Sequence, residues 1–392
     1  MGRATEELAS KAGPAGSPGP AGPPRLDASF LRTPQGYPYL LVPLIPIAVA
    51  LDLAGASAVL VFAASALGII PTAALMGRAT EELASKAGPG IGGLLNVTFG
   101  NAPELIIALF ALNKGLQEVV KASIVGSIVG NILLVLGAAM LAGGLGRDKQ
   151  LFNRTGAAIQ TSMLMLAAAA LIMPAIFELV EGKGLPLPGS ESTHYGNTVE
   201  HLSLAVAIVL IGTYVLGLVF SLKTHRDLFN PDYEDEEGWG WSVRTSVIAL
   251  AIAGVLVGVM SEVLVGSITE ASESVGLSEF FIGVVVVAIV GNAAEHWVAV
   301  LVARKDKMDL AVNIAIGSSS QVALFVAPVL VLASYFIGPY PLALVFNGFE
   351  LGAILIAILI ANYVIQDGES TWFEGVQLLA VYLVFGLAFY FA

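Results

Sequence analysis

The sequence predicts an all-α integral membrane protein of eleven transmembrane helices, and three observations carry that prediction. Of its residues 56% are hydrophobic and 12% charged, with a mean hydropathy of +0.84, whereas soluble domains carry about a quarter charged residues. Apolar runs of about twenty residues, long enough to cross a hydrocarbon core of about 30 Å, recur from Tyr39 to Ala392. Finally, FGNAPELIIALFAL and VGNAAEHWVAVLVA share GNA-x-E at a separation of 191 residues, and Gly126-Ser127 falls on Gly317-Ser318 at the same offset.

The chain opens on a Pro/Gly/Ala-rich segment, 1–36, that has no apolar signal-peptide core and reads as a flexible arm. Its first fourteen residues, MGRATEELASKAGP, return unaltered at Met76–Pro89. A functional duplication diverges, so this pair is not the repeat that builds the fold. The second copy belongs at the end of the second span; the first reads as a recent duplication or a mis-assigned start, with a regulatory arm as the alternative. Breaks at charged, Gly and Pro residues place spans near 39–54, 57–76, 91–113, 119–145, 156–180, 200–222, 243–266, 279–303, 309–336, 340–363 and 373–392. The organisation is then the arm, a first helix in 37–56, five spans in 57–222, an acidic linker in 223–242 containing DYEDEEG, and five more spans in 243–392.

With the N-terminus on the cytoplasmic side, fifteen Lys and Arg fall in inside segments and only Lys114, Lys121 and Lys183 outside. That positive-inside bias orients the chain in a cell (inner) membrane with its C-terminus outside. Spans 3 and 8 are five crossings apart, so they run in opposite directions, as the halves of an inverted repeat do. Cysteine is absent and the net charge is −12, which removes thiolate chemistry and makes nucleic acid a poor partner. The lipid bilayer is the partner that composition demands; nothing in the sequence sets an oligomeric state.

A carboxylate at the bilayer centre costs about 2.5–3.5 kcal/mol on insertion scales, so Glu104 and Glu295 need a reason. Asn101 precedes Glu104 by three residues, and Asn292 precedes Glu295 by three, which puts amide and carboxylate on one helix face. Gly100, Gly291 and Pro103 favour close approach or local unwinding. Ser123, Ser127 and Asn131 share one face of span 4; Asn313, Gly317 and Gln321 share one face of span 9, with Ser318, Ser319 and Ser320 alongside. Many neutral oxygens around two carboxylates suit a hard divalent cation. For the serines and glycines taken singly, helix packing and ligation are both open. Glu350 has no acid at the repeat offset and stands between a proton-path role and a structural pairing. His296, about 100° round the helix from Glu295, reads as a packed interface residue.

At these residues the chain resembles the calcium/proton exchanger (CAX) branch of the calcium/cation antiporter superfamily. GRATEELASKAGPGIGGLLNVTFGNAPELIIALFAL, GSIVGNILLVLG, SEFFIGVVVVAIVGNAAEH, IAIGSSSQVALFVAP and DGESTWFEG carry the likeness, which spans about residue 40 onward. The resemblance implies one peripheral helix followed by two inverted five-helix repeats, and calcium export in exchange for protons. It also implies that Glu104 and Glu295 are the shared calcium and proton sites, with Asn101, Asn292, Ser127, Ser318 and Gln321 in the polar lining. Sodium/calcium exchangers of the same superfamily carry serine or threonine where this chain has Asn101 and Asn292. A sodium-driven exchanger and a divalent-cation channel are the rival readings. No cofactor is expected beyond the transported Ca2+ and H+. An enzyme is not expected either, since no HExxH-type signature is visible.

Overall fold

The structure is a computed structural model, and it describes residues 29–189, 194–224 and 239–392. The first copy of the fourteen-residue repeat and the acidic run Asp232–Gly238 lie outside the described residues.

Helix α1 (Leu44–Leu53) follows two 3-10 turns at Phe30–Arg32 and Tyr37–Leu41. Among the described residues, seven helices are long and apolar enough to cross a membrane: α2 (Ala58–Ala87), α5 (Gln117–Gly144), α6 (Arg154–Val180), α7 (Asn197–Thr224), α8 (Val243–Val275), α11 (Met308–Ala333) and α13 (Trp372–Phe391). Two bent pairs, α3 (Ile91–Gly100) with α4 (Ala102–Asn113) and α9 (Glu279–Gly291) with α10 (Ala293–Arg304), make nine if each counts as one span. Helix α12 (Gly348–Val364) is apolar but shorter. Every apolar run picked from the sequence overlaps one of these elements. The helical run from Ala58 to Gly100 folds back on itself. A Cβ on Gly92 would lie 2.4 Å from the Ala84 carbonyl oxygen, whereas eight residues of straight helix would separate those turns by about 12 Å.

Three sequence boundaries change. The second span extends from 76 to Ala87 because its charged turn is internally paired: Arg78 holds Glu81 at 3.2 Å and Glu82 at 2.6 Å. The seventh runs past 266 to Val275, where Gly276 ends it in the left-handed region at φ 71°. The tenth starts at Gly348 rather than 340, since Pro339 and Pro341 cannot donate to a helix ladder. Residues 342–346 instead form neither helix nor strand and are fully buried. Buried backbone outside helix and strand needs other hydrogen-bond partners, and here side chains supply them. Leu342 N–H donates to Ser334 Oγ (2.7 Å), Leu344 N–H to Ser203 Oγ (3.0 Å), and Lys121 Nζ donates to the Val345 carbonyl (2.8 Å).

Burial separates the helices. In α5 and α11, 83% and 72% of the most apolar window is inside the protein, against 22% in α7 and 17% in α13. The two central helices therefore carry the polar serines, and the peripheral ones face outward. Helix α2 lies along α8 through Met76, Ala253 and Val257, with Ile106 of α4 packed against them. A short antiparallel ribbon, Gln150–Leu151 with Glu369–Ser370, ties the connection after α5 to the one before α13.

Residues 29–36, the end of the segment read as a flexible arm, are folded. Phe30 is buried edge-on against Trp239 at 5.3 Å, and Trp297 Nε1 donates to the Pro34 carbonyl. Trp239 also sits under the Arg78 guanidinium at 4.8 Å. The Trp239 and Trp241 N–H groups both donate to the Glu82 carboxylate, the latter at 3.1 Å. Glu82, 3% exposed, thus joins α2 to the lead-in of α8. Replacing it with Ala removes hydrogen bonds to a charged group worth about 1.5–3 kcal/mol each. The expected result is a lowered thermal midpoint in detergent, with Glu82→Gln intermediate.

Candidate functional site

Two helix breaks build the site. Helix α3 ends at Asn101, whose φ −92° and ψ 11° are not helical, and α4, with Pro103 in its first turn, leaves after a 43° bend. Helix α9 ends likewise at Asn292 (φ −101°, ψ 3°), and α10 leaves at 58°. Position 294 holds alanine where 103 holds proline, so the second break needs another cause. Asn292 supplies one by donating its Nδ2 to the Ala288 carbonyl at 3.0 Å, competing with the helix ladder. Each break leaves its acid in the first turn of the following helix, where the helix dipole favours a carboxylate.

Each acid is held by a serine of its own half, and Glu104 also by the asparagine of the other motif. Glu104 Oε1 accepts from Ser127 Oγ and from Asn292 Nδ2, the asparagine of the other motif. Glu295 Oε2 accepts from Ser318 Oγ at 2.5 Å, and that same hydroxyl lies 3.2 Å from Asn101 Oδ1. Asn101 Nδ2 in turn donates to Gln321 Oε1 at 2.5 Å. The glycines permit the close approach: a Cβ on Gly100 would lie 2.9 Å from Glu295 Oε1, and one on Gly291 2.9 Å from Glu104 Cγ. Asn101, Glu104, Asn292, Ser127 and Ser318 are all buried. Two oxygens there, Glu104 Oε2 and Asn292 Oδ1, are buried without a hydrogen-bond partner. Uncompensated buried acceptors are costly, and they are the atoms a hard cation would take.

The remaining predicted residues divide. Ser123 lines, with Glu104, a small cavity closed by Val287, Val322, Val326 and Leu330, and its hydroxyl donates to the Val120 carbonyl at 2.8 Å. Asn131 Oδ1 pairs with His296 Nε2 at 3.2 Å, so that histidine joins α10 to α5. Asn313 is half-buried, one turn before Gly317. Ser319 turns away from the acids, toward the carbonyls of Ile128 (3.3 Å) and Ala315 (3.0 Å). Glu350 closes a capping box with Asn347 at the start of α12: Asn347 N–H donates to Glu350 Oε2 at 2.8 Å, and Glu350 N–H to Asn347 Oδ1 at 2.9 Å.

Sequence reasoning missed two features. Helices α5 and α11 widen into π turns at Gly130–Val135 and Val322–Val326, directly after the site serines and close to the 191-residue offset. Such turns cluster at functional sites, but no residue type announces them. Gln160 of α6 also faces Gly317, and a lone glutamine in TGAAIQTS gives no signal.

The sodium/calcium exchanger protein family model matches residues 57–223 and 245–391. A Ca(2+)/H(+) antiporter of Synechocystis is 46% identical over 353 residues, covering 84% of this chain and 91% of that protein. The Ca(2+)/H(+) antiporter ChaA of Bacillus subtilis is 45% identical, covering 85% and 92%. The solved structure of native YfkE superposes with a TM-score of 0.76 at 40% identity, covering 91% of this chain and all of that one.

Proposed function

We infer that this chain, which belongs to the sodium/calcium exchanger protein family and within it to the calcium/proton exchangers, exports Ca2+ in exchange for H+ by alternating access. The organisation we propose is one peripheral helix followed by two inverted five-helix repeats, 57–222 and 243–392, eleven spans in all. The two-part family match supports that division. The N-terminus is cytoplasmic and the C-terminus outside, in a cell (inner) membrane, on the Lys/Arg distribution.

The observation that carries the mechanism is the pairing of each acid with the serine of its own half, Glu104 with Ser127 and Glu295 with Ser318, together with the reach of Asn292 across to Glu104. Two ionised carboxylates with amide and hydroxyl oxygens hold one divalent cation. When the site opens to the more acidic side, protons neutralise both acids, the cation leaves, and the protonated site returns. Asn101, Asn292, Ser127, Ser318 and Gln321 supply neutral ligands or hold the acids in place. Ser123, Asn131 and Asn313 extend the polar path to either side, and Ser319 and Glu350 support the helices that frame it.

Purified protein in liposomes, given separate pH and sodium gradients, tests this. Calcium accumulation should follow the pH gradient and ignore sodium; flux that follows sodium selects the rival exchanger, and conductance without counter-transport selects a channel. Asn101→Ala and Asn292→Ala each delete one neutral partner while both acids remain. A loss on the order of 1 kcal/mol predicts a several-fold rise in the calcium concentration for half-maximal uptake, with exchange retained.

A further inference from the structure

Positions Gly126 and Gly317 are separated by 191 residues, like the two acids, yet their surroundings differ. A Cβ on Gly126 would lie 2.0 Å from the Val284 carbonyl oxygen and 2.8 Å from Ala288 Cβ, so α5 is jammed against the backbone of α9. A Cβ on Gly317 would meet nothing nearer than the Gln160 amide, with Nε2 and Oε1 both at 3.7 Å. The second groove is open where the first is shut, and one polar side chain stands in it.

Gln160 is poorly explained by packing. Its Oε1 is buried with no hydrogen-bond partner, which costs about 1–3 kcal/mol in an ordinary core. Its backbone is pinned, because Ser320 Oγ donates to the Gln160 carbonyl at 3.0 Å. That holds the base of the side chain against α11, with the amide beside Gly317. It lies about 9 Å along α6 from Arg154, and Gly317 about 14 Å along α11 from Met308, so both are reached from the same membrane side. Asn313, half-buried, is on the same face one turn nearer that side, and Ser318, next to Gly317, holds Glu295. An amide presents an oxygen to a hard cation on simple rotation about its last bond.

We propose that the Gln160 side-chain oxygen is a further cation ligand, which receives a divalent cation between Asn313 and Glu295 on the cytoplasmic approach. This rests on the exchange reading above for the identity of the cation and the side of entry.

The test pairs equilibrium binding of radioactive Ca2+ to the purified full-length protein with pH-driven uptake into everted vesicles. Gln160→Ala and Gln160→Leu should each raise the half-saturating Ca2+ concentration about 3–10-fold in both assays, the span of a single lost neutral ligand, with maximal uptake within about twofold. Gln160→Glu keeps the length and an oxygen and should restore binding. Half-saturation unchanged in Ala and Leu variants of wild-type thermal stability overturns the proposal. So does weakened binding that Glu fails to restore, because that pattern belongs to packing. If the wild type binds Ca2+ and the Ala variant binds it less well, while neither takes it up under a pH gradient, the exchange reading fails and the ligand assignment stands.

Discussion

Glu104→Gln and Glu295→Gln are each expected to abolish pH-driven calcium uptake, by at least a hundredfold, in protein that still folds. Glutamine keeps the volume and the Oε1 acceptor that Ser127 and Asn292 use at Glu104. Its amide nitrogen replaces Oε2, the atom without a partner, so the fold loses no hydrogen bond and sheds a charge that is costly in the membrane. What disappears is half of the negative charge facing a divalent ion, together with one titratable proton. In the wild type, protons and Ca2+ compete for the same oxygens, so the apparent Ca2+ affinity falls as pH falls. In the double glutamine variant, residual binding should lose that pH dependence. Near-normal uptake by both single variants would rule out shared carboxylates.

How much of this was legible without coordinates differs by element. The acids, their asparagines and the serines one helix away were readable because a charged residue in lipid is expensive. A cost repeated at one fixed offset, 191 residues apart, singles out its carriers. The start of helix α12 differs by eight residues from the sequence reading because Leu342 to Phe346 are as apolar as any span. What accommodates them outside a helix is the pair of distant hydroxyls, Ser203 and Ser334, that accept from the Leu342 and Leu344 N–H groups. The bend at Asn292 was legible from glycine, but its cause, a side chain taking the Ala288 carbonyl, was not. The π turns and the reach of Asn292 across to Glu104 depend on how the central helices pass each other. No window of one helix contains that information.

The sharpest asymmetry lies in a dipeptide that occurs twice in the same setting, Gly-Ser at 126–127 and at 317–318. Gly126→Ala is expected to destabilise the protein strongly, and Gly317→Ala to leave it as stable or more so. Helix propensity favours alanine over glycine by about 1 kcal/mol at both sites, so propensity alone predicts two stabilised variants. At Gly126 the added methyl meets the Val284 carbonyl oxygen at 2.0 Å and its carbon at 2.7 Å. Backbone on both sides cannot yield as a side chain would, and overpacking of this kind costs about 1–3 kcal/mol or more, which outweighs the gain. At Gly317 the methyl stands at ordinary contact distance, 3.7 Å, from the flexible end of Gln160, and the gain survives. Thermal midpoints in detergent read the difference directly, with roughly 2–4 °C expected per kcal/mol for a chain of this size or somewhat smaller. Equal shifts in the two variants would mean that α5 and α9 are not in backbone contact at Gly126, and the open and closed grooves on which the Gln160 assignment depends would then be equivalent.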